Sequence, residues 1–131
     1  MDLVITSTTV TGTIVNIFGS EVGMVKPSHP ITIDASNLTA ANVGGAFPGY
    51  LPVGFPLGKV TADGSYAEYD DGDAIAGTGV MRGVLGEDVL VTSATSIVHG
   101  SLLTRPTLIE ANLPVVIDAA GKADMPTIVF I

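Results

Sequence analysis

The chain has 131 residues, which is enough for one domain with its own hydrophobic core. It contains no cysteine, so disulfides, thiolate metal sites and cysteine nucleophiles are excluded. Thirteen Asp and Glu against five Lys and Arg give a net charge of −8, which disfavours nucleic-acid binding. Charged residues make up only 14% and the apolar stretches are short, so we expect partners to cover some apolar surface and no segment to span a membrane.

The first 30 residues differ from the rest of the chain. Residues 10–18 are apolar on both faces of a strand, and Gly and Pro interrupt the sequence from Gly19 to Pro30. A strand with two apolar faces and no local hairpin partner usually pairs with another chain. We therefore predict an extended N-terminal arm, residues 1–30, and a β-rich domain, residues 31–131. The first basic residue is Lys26, so the positive start of a signal peptide is missing and we expect the protein to stay where it is made.

From residue 31 onward the sequence is typical of short β-strands. Val, Ile and Thr are frequent, and 16 Gly and 8 Pro punctuate the chain. We predict a mostly β fold. Besides the arm strand at residues 10–18, the predicted strands are residues 31–34, 80–85, 88–92, 96–103, 115–117 and 127–131.

Residues 59–69 carry the clearest local signal, a β-hairpin around Asp63-Gly64. Both residues suit the positive φ angles of a type I′ turn. A two-residue loop places Lys59 opposite Glu68, so that this charged pair lies on the solvent face.

Helix signals are few. Pro106 is able to open a short helix that Pro114 closes. Asp118 is a candidate cap for one turn through Ala119 and Ala120 before Gly121. Neither helix is long enough to form a layer of the fold.

Candidate catalytic residues are also few. A Ser-His-Asp mechanism needs a rigidly held imidazole, yet His29 lies in the arm beside Pro30 and His99 lies inside a predicted strand. Solvent is expected to keep the three lysines protonated, which disfavours a Ser-Lys pair; they are Lys26, Lys59 and Lys122. We predict no catalytic residue and no cofactor, and we expect that the protein is not an enzyme.

The acidic stretch at residues 68–73 is the best candidate for a metal site. Asp70, Asp71 and Asp73 surround Gly72 and offer carboxylate oxygens of the kind that Ca²⁺ prefers. The stretch lacks the acidic residue that closes an EF-hand loop. We favour a solvated loop and predict no metal, and leave open whether residues 70–73 bind a cation.

The order of residues in the middle and at the end of the chain is the remaining signal. It runs through Ile31-Thr32-Ile33-Asp34-Ala35, Tyr50-Leu51-Pro52-Val53-Gly54-Phe55-Pro56-Leu57-Gly58-Lys59-Val60, Tyr66-Ala67-Glu68-Tyr69-Asp70, Val98-His99-Gly100-Ser101-Leu102 and Thr127-Ile128-Val129-Phe130-Ile131. This order resembles the head decoration, or capsid cement, proteins of tailed bacteriophages, the family of the lambda-type head decoration protein. The resemblance covers residues 31–131.

The resemblance implies a small β-barrel or β-tulip-like domain with short helices and an extended N-terminal arm. It implies a homotrimer on the outer capsid at threefold or quasi-threefold axes, with the major capsid protein as partner and neither nucleic acid nor membrane. It places Val10, Ile14, Ile17 and Phe18 on the capsid-facing arm. Two alternatives stay open, a receptor- or glycan-binding β-module of a phage tail or cell surface, and a small hydrolase with a Ser-Lys or carboxylate centre.

Overall fold

The computed structural model describes residues 17–20 and 29–131, which form short strands, one short α-helix and three 3-10 helices. The strands are β1 (Phe18–Ser20), β2 (His29–Asp34), β3 (Gly49–Leu51), β4 (Pro56–Lys59), β5 (Tyr66–Glu68), β6 (Met81–Leu85), β7 (Val89–Val91), β8 (Ile97–Leu103), β9 (Thr107–Leu108) and β10 (Val129–Phe130). Helix α1 spans Ala119–Asp124, and the 3-10 helices span Ala35–Asn37, Ala40–Val43 and Glu110–Asn112. Within these residues no helix is long and apolar enough to cross a bilayer.

Five strands pair in a closed order, β2-β5-β4-β6-β8, which we call the five-stranded ring. β2 and β8 form its longest antiparallel ladder, from His29 opposite Leu102 to Asp34 opposite Ile97. The ring closes through one parallel pair, Ile33 with Tyr66, so β2 and β5 are joined at one point only. A three-stranded sheet, β1-β9-β10, and an antiparallel pair, β3-β7, complete the described fold.

The hydrophobic core has two parts that meet at the β6–β8 wall of the ring. Successive residues of a strand point to opposite faces, so Leu102 joins one cluster and Leu103 the other. The first cluster lies between the ring and β3-β7. The second lies between the ring, β1-β9-β10 and α1. Asp124 ties α1 to the ring, because its carboxylate accepts a hydrogen bond of 2.9 Å from the Met81 backbone N–H.

The mostly β fold with only short helices is confirmed. Strands form within or overlapping the predicted ranges 31–34, 80–85, 88–92, 96–103 and 127–131. Residues 115–117 form no strand, and β3 and β9 were not predicted. Both of these are only two or three residues long, so they leave little β pattern in the sequence.

The predicted hairpin exists, but its register was wrong by two residues. Lys59 pairs with Tyr66 and not with Glu68, which lies opposite Leu57. The turn is a four-residue loop in which the Gly64 N–H donates to the Val60 carbonyl oxygen at 2.9 Å. Gly64 has a φ of 76°, whereas Asp63 is not in the left-handed region that a type I′ turn requires.

The two helix predictions had different outcomes. Residues 106–114 hold β9 and a 3-10 helix, so the helix predicted between the two prolines was wrong. The Asp118 cap is confirmed, because its side chain accepts a hydrogen bond from the Gly121 N–H at 2.7 Å. Gly121 lies inside α1, however, and does not end it.

Candidate functional site

The predicted arm residues divide between described and undescribed parts of the chain. Ile17 is only 3% exposed and lies in the second core cluster. Its carbonyl oxygen accepts a 2.6 Å hydrogen bond from the Ile109 N–H, and the backbone of Phe18 pairs with Leu108. Ile17 is therefore buried in the core of its own subunit, and a capsid contact of Ile17 or Phe18 stays a prediction. Val10 and Ile14 lie outside the described residues, and their role stays a prediction.

The boundary predicted at residue 31 falls inside β2, which begins at His29. Residues 17–20 also belong to the domain, since β1 is a strand of its three-stranded sheet. The segment predicted as an arm therefore contains β1 and the start of β2. Their partners, β9 and β8, lie far along the sequence, so local sequence does not reveal these pairings.

Of the histidines and lysines that the structure describes, His29 and Lys59 line one cavity, and the others lie on other elements. His29 begins β2, and the exposed His99 on β8 has its Nδ1 atom 3.4 Å from the Thr32 hydroxyl oxygen. Lys122 forms an ion pair with Glu110 and lies 5.2 Å from the centre of the Phe130 ring. Lys59 is exposed at the end of β4, and Lys26 lies outside the described residues. His99 and Lys122 thus contact other side chains of the same domain.

The acidic loop uses its carboxylates to hold its own backbone. Asp70 accepts hydrogen bonds from the N–H groups of Gly72 and Ala74, and Asp73 accepts from those of Gly77 and Gly79. Among the described residues no group of three or more His, Asp or Glu side chains is arranged to hold a metal ion. These aspartates shape the turn after β5.

A cavity of about 540 Å³ lies beside this loop. On one wall Glu68 accepts hydrogen bonds from the Thr39 N–H and hydroxyl, at 2.7 and 2.9 Å. On another, the Tyr69 hydroxyl donates to the Asp118 carboxylate at 2.9 Å. Burial, together with this hydrogen bond, raises the pKa of Tyr69 well above its usual value. The Tyr69–Asp118 hydrogen bond on this wall therefore connects the end of β5 to the cap of α1.

Two apolar side chains on the short strands β3 and β7 are paired and exposed to solvent. Tyr50 of β3 and Leu90 of β7 lie directly opposite each other and are 59% and 45% exposed. Their neighbours Leu51 and Val89 point into the core. Further large apolar side chains are exposed elsewhere, at Val80, Ile97, Val116, Val129 and Ile131. The Tyr50–Leu90 pair was missed from the sequence because β3 was not predicted and the pairing joins distant residues.

Comparisons of the chain with protein-family models, with curated proteins and with solved structures found no match in any of the three.

Proposed function

We propose that the chain is a structural virion protein that binds the outer surface of a tailed-bacteriophage capsid. In this proposal three copies sit at each threefold or quasi-threefold axis, contact the major capsid protein and hold neighbouring capsomers of the expanded head together. The protein is made in the host cytoplasm and acts on the outside of the head. The resemblance of residues 31–131 to the decoration family supplies the identity of the partner.

The observation that carries the proposal is the exposed apolar pair Tyr50 and Leu90. In the part of the chain that the structure describes, β3 and β7 hydrogen-bond only to each other as strands, so their outer edges have no strand partner. Exposed apolar side chains on unpaired strands favour contact with another protein. Covering the pair removes apolar area from water, worth about 25 cal/mol per Å² before the costs of association.

The charge of the chain agrees with a position on the outside of a shell. A net charge of −8 gives no attraction to the packed nucleic acid inside. Charged residues are only 14%, so much of the surface is suited to weak contacts with protein neighbours. Weak contacts become effective when they are repeated around a closed shell, because each linked site raises the effective concentration of the next.

The residues that carry the resemblance serve the fold. Phe55 and Leu57 are buried in the first core cluster, and Gly54 has a φ of 87° that favours glycine at the turn before β4. Buried and turn residues of this kind determine the shape of the domain, and in a structural protein that shape determines which surfaces contact a partner.

The test uses expanded capsids that lack decoration protein, prepared from the phage that encodes this chain. Full-length protein should co-sediment with them and add density at the threefold positions in cryo-electron microscopy. Tyr50→Ser combined with Leu90→Ser should weaken capsid binding by about tenfold or more, because a central apolar contact is worth more than ~1 kcal/mol. Ile97→Ser combined with Val116→Ser removes exposed apolar side chains outside β3 and β7 and is the matched control.

Absence of binding by the full-length protein would refute the proposed function. Unchanged binding by the Tyr50 and Leu90 double variant, with normal binding by the control, would remove this surface from the proposal.

A further inference from the structure

The second cavity of the domain, about 520 Å³, gathers much of the positive charge of an acidic chain. His29, Lys59 and Arg82 line it, which are two of the five Lys and Arg residues and one of the two histidines. We call it the cationic cleft. Nothing in the order of the sequence brings these three residues together.

The strand topology explains why they meet. His29 begins β2, Lys59 ends β4 and Arg82 is the second residue of β6. β4 and β6 are antiparallel, and β5 starts at Tyr66, opposite Lys59. These strand ends therefore lie at one end of the five-stranded ring. Among the described residues β2 pairs with β5 only where Ile33 lies opposite Tyr66, the first residue of β5, and the four β2 residues before Ile33 line the cleft.

Among the residues that the structure describes, no carboxylate lines the cationic cleft. Asp34 and Asp63 line an adjacent cavity, which shares Thr32 and Gly64 with the cleft, and they accept hydrogen bonds from Ser36 and Ser65. In the described part of the chain the ion pair between lysine and carboxylate is Lys122 with Glu110, on another element. The charges in the cationic cleft repel one another and have no anionic partner among the described residues.

We propose that the cationic cleft binds carboxylate groups on an acidic segment of another protein. The Arg82 guanidinium is suited to a paired contact with a carboxylate, and Lys59 supplies a second positive charge. Tyr66 and Thr104 add hydroxyl donors, while Ile31 and Leu102 provide an apolar side. A nucleic acid is the weaker fit, because the positive charge is confined to one cleft and forms no stripe that could follow a phosphate backbone.

This inference goes beyond the proposed function and does not depend on it, because it concerns the isolated protein. The experiment is an amide NMR titration of the full chain with hexaglutamate, with hexaglutamine as the uncharged reference. Hexaglutamate should shift the amide signals of His29, Thr32, Gly64, Tyr66 and Arg82, and hexaglutamine should not. Signals of the acidic loop, residues 70–73, should stay in place.

Charge-reversal variants then locate the site. Lys59→Glu and Arg82→Glu should each weaken hexaglutamate binding by about tenfold or more, the loss expected for a charge-assisted hydrogen bond. Arg105→Glu makes the same charge change directly after Thr104, and it should change binding less than about twofold, because Arg105 lies outside the lining of the cleft. Lys59→Gln and Arg82→Gln give the same test if a glutamate variant melts early.

Three outcomes would overturn the inference. The first is an absence of hexaglutamate shifts at the cationic cleft. The second is an equal loss of binding in Arg105→Glu, which would indicate a general effect of net charge. The third is stronger binding of a short single-stranded DNA, or of inorganic phosphate at the same concentration, than of hexaglutamate at the same residues.

Discussion

Ile17 packs against Gly54 and so connects the start of β1 to the turn before β4. A Cβ atom on Gly54 would lie 2.6 Å from the Ile17 Cδ1 atom, far inside van der Waals contact. Leu113 and Pro114 border the same position at 3.4 Å. Ile17 therefore packs against the turn before β4, and a Cβ atom at Gly54 would require its Cδ1 methyl group to move.

Gly54→Ala should lower the free energy of unfolding by more than Gly44→Ala. Both glycines have a positive φ, which costs alanine ~1–2 kcal/mol, but a Cβ on Gly44 would meet nothing within 4 Å. The contact with Ile17 should add about 1 kcal/mol at Gly54. Denaturant unfolding of the two variants measures the difference.

Ile17→Val removes the Cδ1 atom that the new methyl group would meet. In that background Gly54→Ala and Gly44→Ala should cost the same, which a double-mutant cycle detects. Equal costs already in the Ile17 protein would contradict the packing of Ile17 on Gly54.

At the scale of elements, the β4–β5 hairpin depends on how its loop is held. The Asp63 carboxylate accepts hydrogen bonds from the Ser65 N–H and hydroxyl, at 2.9 and 2.7 Å. These bonds, the backbone one first, lower the pKa of Asp63. A lowered pKa means that the carboxylate stabilises the fold at neutral pH and loses this contribution as the pH falls below its ordinary value of 3.8.

Asp63→Asn distinguishes the four-residue loop from a type I′ turn. Asn-Gly favours a type I′ turn and would keep or raise the melting temperature. In the four-residue loop the Asp63 carboxylate is the charged acceptor of the two hydrogen bonds from Ser65. The substitution replaces it with an uncharged amide, so the melting temperature should fall slightly at pH 7. The difference from the wild type should shrink as the pH falls below 3.8 and Asp63 becomes protonated. Thermal melts followed by circular dichroism over this range measure it, and a higher melting temperature for the variant at pH 7 would contradict the loop.

At the scale of the whole molecule, the surface has an acidic region and a separate basic region. The acidic loop and Asp118 lie around one cavity, and the cationic cleft lies at one end of the five-stranded ring. The exposed Tyr50 and Leu90 lie on a separate pair of strands. A domain with separate apolar and cationic surfaces is suited to contacts with more than one protein neighbour, which is what the proposed function on a capsid requires.

Deletion of residues 1–16 tests the arm at this scale. The deletion keeps Ile17 and every other described residue, so the domain should fold and melt close to the full-length protein. Deletion through residue 18 also removes a core isoleucine and should cost a further ~2–5 kcal/mol. If the arm contacts the capsid, the shorter deletion should abolish co-sedimentation with undecorated capsids while leaving the fold intact. Full capsid binding by this variant would contradict the role proposed for Val10 and Ile14.

Several elements could be predicted because their signals are local. β2, β6 and β8 are runs of β-branched and apolar residues bounded by turn residues, and the Asp118 cap precedes α1 directly. The register of the hairpin was missed because Asp63-Gly64 suits a two-residue loop equally well, and only the wider pairing of β4 with β5 and β6 selects a four-residue one.

Local sequence signals could predict neither the exposed Tyr50–Leu90 pair nor the cationic cleft. Tyr50 meets Leu90, and His29 meets Lys59 and Arg82, only through strand pairings between distant parts of the chain. No regular spacing of residues along the sequence indicates that these side chains lie close together.

The sequence by itself determined that this protein is mostly β, free of cysteine chemistry and strongly acidic, because composition and short-range patterns act within a few residues of one another. The tertiary structure alone decided that Ile17 belongs to the core, that Lys59 pairs with Tyr66 and that His29, Lys59 and Arg82 share one cleft. The physical reason is that burial and charge clustering depend on which strands pair. Pairing is set by the packing of the whole domain and not by any one segment.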